Sequence, residues 1–348
     1  MSEESVFGRD GEQNDGVVES ETILDSSAIP STDDEGQPIP VTIPVVLAPG
    51  VRVIYTTRLG GVSEGGYAHC NLGGKGGDDP SHVRNNRLAV AHVVGAPLAL
   101  VSQVHSGRAV DVDGLIEVSD AGKEGPLLGV RASGQITIAD VEADGQVTSR
   151  RGVALGMFAA DCLPVLLADP EVGVIGAAHC GRKGLERGII GSVVGMMEDK
   201  GAMPNRIAAT LGPCICSDCY EVGDGIAGAF DARFPGTSSL TRFGGPGIDI
   251  AGAALQELRA AGVPADNVVS SLPRVAAATQ YLADDAELRG LSQADDWSDE
   301  RGSGFDEGSL HVHHPLCTLE NPMWYSHRRS SLARKEREGR MLAIVVRD

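Results

Sequence analysis

The sequence predicts an α/β fold of mixed α+β type, a single compact domain with a mixed sheet and flanking helices. Three observations lead there. Short apolar runs of strand length are interleaved along the chain with stretches of helical length. Apolar residues make up 42% of 348, enough for one sizeable core. Glycine is abundant at 46 residues while aromatics are only 4%, which suits tight turns and small-residue packing.

The elements follow in chain order. Residues 1–40 hold eleven acidic residues and one arginine with no periodicity, so 1–42 reads as a disordered acidic tail ahead of a folded domain over 43–348. Residues 51–57 alternate like a strand, and a glycine-rich loop covers 60–77. Ser81 is expected to cap a helix running to about Val94, with 97–104 returning as a strand. Two more strands, 153–158 and 163–168, bracket Ala159-Ala160-Asp161-Cys162. A strand over 173–178 ends near His179, and a helix should run from about 183 to 198. Helices are expected at 223–232 and 249–261, and 341–346 closes the fold as a strand. The acidic stretch 283–309 around Trp297 reads as a surface loop insertion, because motif-like sequence resumes directly after it.

Charge and composition exclude several functions. A net charge of −19 argues against a nucleic-acid footprint and against binding to an anionic membrane. No apolar run has the length of a membrane span, and the N-terminus lacks the pattern of a secretory signal, so the chain reads as soluble and cytoplasmic. Seven scattered cysteines, an odd number, fit reduced thiols better than a disulfide framework.

Three segments end an apolar run on a metal-ligating side chain: Gln103-Val104-His105, Asp161-Cys162 and Ala178-His179. Strand ends are where α/β folds present functional groups. One thiolate and two imidazoles would make a three-ligand zinc site with a fourth position open, or alternatively each histidine is an ordinary capped residue. Asp161 could steady a ligand, act as a general base, or cap a turn, and Glu142-Ala143-Asp144 carries the same ambiguity. Cys214, Cys216 and Cys219 contain one Cys-x-x-Cys, half of a structural zinc site whose remainder could only be His311, His313, His314 or Cys317; ordinary thiols in a tight loop are the simpler reading. The zinc-deaminase pattern of Pro-Cys-x-x-Cys is absent, since Cys214 is followed by Ile215-Cys216. Ser326-His327-Arg328-Arg329 sets two guanidinium groups beside an imidazole, suited to phosphate or to surface ion pairs with Glu336 and Glu338.

Six groups of strings occur in a telling order: Asn71-Leu72-Gly73 with Asn86-Arg87; Gln103-Val104-His105; Ala160-Asp161-Cys162-Leu163-Pro164; Gly176-Ala177-Ala178-His179; Leu211-Gly212-Pro213-Cys214-Ile215 with Cys219-Tyr220-Glu221-Val222-Gly223; and Ser326-His327-Arg328-Arg329. Over roughly 45–348 the chain resembles the YfiH family, also called the laccase-domain, polyphenol oxidase or peptidoglycan editing factor family. The resemblance implies a single α/β domain with one zinc ion held by His105, Cys162 and His179; Asp161 joins them as a candidate catalytic residue through its place directly before the thiol. It implies nucleoside and phosphate as small-molecule partners, for which Asn71, Arg87, His327 and Arg328 are the candidate contacts in this sequence. The implied activity is purine nucleoside phosphorolysis (adenosine, inosine, methylthioadenosine), with adenosine deamination possible. The alternatives are a copper polyphenol oxidase (laccase) or an editing hydrolase of peptidoglycan precursors. Copper is disfavoured because multicopper chemistry needs many paired histidines, and the chain has nine with one clear pair, His311-x-His313. One departure stands out: the usual His-Ala-Gly-Trp-Arg-Gly is here His179-Cys180-Gly181-Arg182-Lys183-Gly184, replacing an aromatic with a cation.

Overall fold

The computed structural model describes residues 31–118, 141–295 and 312–348. Most of the expected acidic tail, the part of the expected insertion from 296 on with Trp297, and the candidate ligand His311 lie outside the described residues. Among the described residues the strands are β1 (Thr42–Ala48), β2 (Val51–Thr56), β3 (Leu98–Leu100), β4 (Ala109–Asp111), β5 (Gly145–Thr148), β6 (Ala154–Ala159), β7 (Leu163–Asp169), β8 (Val174–Cys180), β9 (Ala208–Leu211), β10 (Ser238–Leu240), β11 (Pro246–Ile248) and β12 (Met341–Arg347). The helices are α1 (Pro80–Val94), α2 (Val112–Val118), α3 (Arg182–Glu186), α4 (Ile189–Asp199), α5 (Asp224–Arg233), α6 (Ile250–Ala260), α7 (Leu272–Tyr281), α8 (Ala286–Ala294) and α9 (His327–Leu332).

The mixed α/β class holds, with two five-stranded mixed sheets and a small hairpin rather than one sheet. The first sheet has the order β1-β2-β12-β6-β3 and the second β4-β5-β8-β7-β9, with β10 and β11 paired apart. Each five-stranded sheet has one parallel pair, β3 with β6 and β4 with β5. All seven residues of β7 and of β8 are buried, because both faces of these strands are covered. Leu166, Ala168, Ile175 and Ala177 face the first sheet, packing with Leu155, Met157 and Val345. Their alternating neighbours Val165, Leu167, Val174 and Ala178 pack under Ile189, Ile190, Val193 and Met197 of α4. Each fully buried Leu, Ile, Val or Met side chain here contributes about 1.5–3 kcal/mol of transfer free energy. On the far face of the first sheet α1 lays Val90, Ala91 and Val94 on Ile54, Leu342 and Ile344.

Several expected boundaries move. Residues 31–42, inside the expected tail, make defined contacts: Thr32 bridges Pro38, Ile39 N donates to Ser31 O, and Pro38 and Pro40 are buried. Asp79, not Ser81, caps α1; its Oδ1 accepts from Ser81 N at 2.7 Å, with Pro80 in the first helical turn. The expected helix over 183–198 is two helices, because Gly188 sits at φ 72, in the left-handed region that interrupts an α-helix. The strand expected over 97–104 is only Leu98–Leu100, after which the chain leaves the sheet toward His105.

The largest correction concerns the acidic stretch. Residues 283–295 are not a solvated loop: Asp285 caps α8, and Asp295 is buried against Arg58, Arg329 and Lys335. Among the described residues no helix is long and apolar enough to cross a membrane.

Candidate metal and nucleoside site

Strand register assembles the site. Pairing of β7 with β8 sets Pro164 opposite His179, which brings Cys162, just before β7, beside the end of β8. Pairing of β5 with β8 sets Gly145 opposite Ala178, so Asp144 lies next to His179, whose N donates to Asp144 O at 2.7 Å. His105 arrives on the segment after β3, at φ 58. Asp161 precedes the thiol at φ 95; both residues hold left-handed backbone that costs a non-glycine residue about 1–3 kcal/mol.

The three ligand atoms of His105, Cys162 and His179 lie within 4.8 Å of one another, with Cys162 Sγ and His105 Nε2 3.5 Å apart. The two imidazole rings meet edge to face at 4.8 Å between centroids. Zinc bonds of about 2.0–2.1 Å to nitrogen and 2.3 Å to sulfur require tetrahedral ligands spaced by roughly 3.3–3.6 Å, so these residues fit such an ion with little movement. Gly181 packs directly beneath them. A Cβ there would stand 2.8 Å from both Cys162 Sγ and His105 Cδ2, so no larger residue fits without displacing two ligands.

Asp144 organises two of the three. Its buried carboxylate accepts from His179 Nδ1 at 2.8 Å, which leaves Nε2 to face the Cys162 thiol, where an ion would take the place of its proton. The same carboxylate accepts from His105 N at 2.9 Å, from Ser106 N at 2.5 Å and from Ser106 Oγ at 2.7 Å, holding the strained turn that presents His105.

The pair Cys162 and His179 is charge-coupled. Burial opposes ionisation of the Cys162 thiol, but the neighbouring imidazoles of His179 and His105 outweigh it and bring it down to about 6. Burial likewise opposes protonation of His179, and the Cys162 thiolate and Asp144 overcome it, raising the imidazole to about 9. A metal ion must displace the protons that these groups hold. Apparent metal affinity is therefore expected to rise about tenfold per pH unit between roughly 6 and 9, where one proton leaves His179. It should rise more steeply below that range, where the thiol proton must leave too, and flatten above it. Competition titrations against a chelator of known pH dependence check this; a flat profile would contradict the coupling.

A cavity of about 330 Å³ opens on this cluster, lined by Val104, His105, Cys162, Arg182, Lys183, Arg187 and Tyr220. Arg182 pairs with Glu186 at 2.6 Å, Arg187 donates to His105 O, and among the described residues Lys183 has no ion-pair partner. No local pattern in the sequence marks Arg187, Tyr220 or the role of Asp144. The one available signal was Arg182-Lys183 in place of the usual Trp-Arg.

The other expected residues are placed elsewhere. Asp161 accepts from Thr318 Oγ1 at 2.6 Å and from Arg328 N at 2.7 Å, tying the segment before α9 to the thiol turn. Arg328 lies over the Tyr220 ring at 5.5 Å and donates to Glu221 O, so it backs the cavity wall. Asn71 is buried and spends its amide on Gly73, Asp78 and Arg340 N. Arg87 is buried against Phe158 and donates to Leu72 O, and His327 pairs with Glu338 at the surface. Asn71, Arg87 and His327 do not line the cavity.

A family model described as multi-copper polyphenol oxidoreductase laccase matches residues 52–281. The chain belongs to this family. Among relatives of this laccase-family protein, purine nucleoside phosphorylase ORF3 of Streptomyces griseus is 41% identical over 212 residues, covering 60% of this chain and 79% of that protein. Adenosine deaminase RL5, from an unknown prokaryotic organism, is 35% identical over 230 residues, covering 64% of this chain and 83% of that protein. The crystal structure of the Bacillus licheniformis protein YfiH matches 89% of this chain and 97% of its own, at TM-score 0.64 and 26% identity.

Proposed function

We propose that this laccase-family protein is a zinc-dependent purine nucleoside phosphorylase, with His105, Cys162 and His179 as the metal ligands. The observation that carries the reading is the cation-lined cavity opening directly on a three-donor cluster. Arg182, Lys183 and Arg187 would bind the phosphate nucleophile, and Tyr220 offers an aromatic wall to the nucleoside. Zinc, when bound, would supply Lewis-acid polarisation of a substrate oxygen. Asp144 keeps His179 in the tautomer that ligates, and the cations hold phosphate for attack on the ribose anomeric carbon. A phosphate oxygen then forms the new bond to that carbon while the bond to the purine nitrogen breaks, and the purine leaves with the electron pair. Asp161 acts here as a positioning residue that fixes the turn of Cys162.

Zinc is favoured over copper by the donors. Each donor cluster among the described residues holds at most two histidines, too few for a multicopper centre. Adenosine deamination is the second reading, favoured by the relative named for it; there water adds at C6 of the purine and the amino group leaves as ammonia, with the glycosidic bond intact. The test is base release from adenosine and inosine with and without phosphate. Phosphate-dependent release with formation of a sugar phosphate is expected, and Lys183→Ala should raise the KM for phosphate about tenfold or more with little change in that for nucleoside. Ammonia release indifferent to phosphate, or oxygen uptake with phenols, would contradict the proposal.

A further inference from the structure

Away from the cavity, the described residues bring together one further set of soft donors. Cys216 and Cys219, on the turn after β9, meet Cys317 and Glu320 from the segment before α9, and their ligand atoms lie within 4.8 Å of one another. We propose that Cys216, Cys219, Cys317 and Glu320 bind a second, structural metal ion of the zinc class, which fastens these two segments together.

The local geometry is that of a metal knuckle. Cys219 N donates to Cys216 O at 3.0 Å, closing the tight Cys-x-x-Cys turn that lets both thiols face one point. The third thiol comes from about a hundred residues later and is set in place by backbone pairing. Cys214 bridges Cys317, Cys214 N donates to Leu316 O, and Thr318 N donates to Cys214 O. Cys216 N points at Cys317 Sγ at 3.4 Å, the hydrogen bond from backbone to sulfur that steadies a thiolate. Glu320 is aimed rather than free. Its Oε2 accepts from His313 N at 3.1 Å and His314 N at 3.0 Å, while Oε1 faces Cys219 Sγ at 3.6 Å and Cys216 Sγ at 3.9 Å.

Tetrahedral bonds of about 2.3 Å put thiolate sulfurs about 3.8 Å apart, so closure around an ion needs only a small contraction. Thiolates select zinc over hard cations. Cys219, Cys317 and Glu320 are buried, and none of the four donors lines the cavity, so the shell is closed as in a structural site. Binding releases to solvent the protons that the thiols hold, and Arg242, paired with Glu320, offsets part of the surplus negative charge of four anionic donors. The site also bears on the cavity. Tyr220 follows Cys219 directly, so pinning the knuckle fixes the aromatic wall.

Cobalt(II) in place of zinc tests this without using activity. In a Cys162→Ser variant the cavity cluster has lost its only thiolate, so a thiolate-to-cobalt charge-transfer band can come only from the second set. We expect that variant to show the band with about one tightly held cobalt per chain, and Cys162→Ser/Cys219→Ser to lose most of it. A folded Cys162→Ser protein with no such band would overturn the proposal, as would a disulfide among Cys216, Cys219 and Cys317 found by mass spectrometry of protein purified under reducing conditions. Should the double variant fail to fold, the band in Cys162→Ser alone decides.

Discussion

Replacing Asp144 with asparagine should lower metal affinity at the cavity by about 10–100-fold and turnover with it, while the fold survives. The substitution keeps the shape and removes the charge. An amide offers one acceptor oxygen where the carboxylate offers two, and its NH₂ must face groups that are themselves donors: His179 Nδ1, His105 N, Ser106 N and Ser106 Oγ. Each buried donor left without an acceptor costs about 1–3 kcal/mol. His179 loses the partner that fixes its tautomer, and the positive-φ turn of His105 loses its anchor, so two of the three ligands are disturbed together. Metal competition titration is the readout. An affinity within about threefold of the parent protein would mean that Asp144 braces the turn without tuning the ligands.

Asp295→Ala should destabilise the fold by about 3–5 kcal/mol, the range for breaking a buried ion pair. Asp295 Oδ2 accepts from Arg58 at 2.5 Å and from Arg329 Nε at 3.1 Å, and all three side chains are nearly inaccessible to solvent. Removing the carboxylate leaves two guanidinium groups buried close together with no counter-charge. Arg329 also donates to the carbonyls of Thr318, Leu319 and Trp324, so its disturbance spreads to the segment that carries Cys317 and Glu320. Denaturant unfolding measures this directly, and a loss below about 1 kcal/mol would show that Asp295 is hydrated in solution.

These two carboxylates also mark where sequence reading stops. His105, Cys162 and His179 were legible because each ends an apolar run, and a ligating side chain at a strand end is a local pattern. Asp144 stood beside a strand too, but its value depends on the β5–β8 register, which the chain does not display locally. Asp295 sits in an acidic stretch that reads as solvated, and its partners Arg58 and Arg329 come from distant parts of the chain. The long buried strands β7, β8 and β12 were read from their apolar runs, whereas β9, β10 and β11 are three or four residues long and carry no usable period. The Cys-x-x-Cys was visible as half a site, and only the pairing of Cys214 with Cys317 supplies the other half. Arg182, Lys183 and Arg187 become a cluster only because α3 starts at the end of β8, over the ligands.

The central claim is that Cys162 serves as a metal ligand and not as a covalent nucleophile. Its thiol, drawn down to about 6 by the two imidazoles, would be reactive in the metal-free protein, so both roles are chemically open to it. The measurement that separates them is nucleoside turnover after exhaustive chelation and again after zinc is restored, with alkylation mapped to Cys162 in each state. We expect loss of activity with chelation, recovery with zinc, and alkylation of Cys162 that is slow with metal present and fast without it. Full activity in the metal-free protein, with a covalent substrate adduct trapped on Cys162, would contradict it.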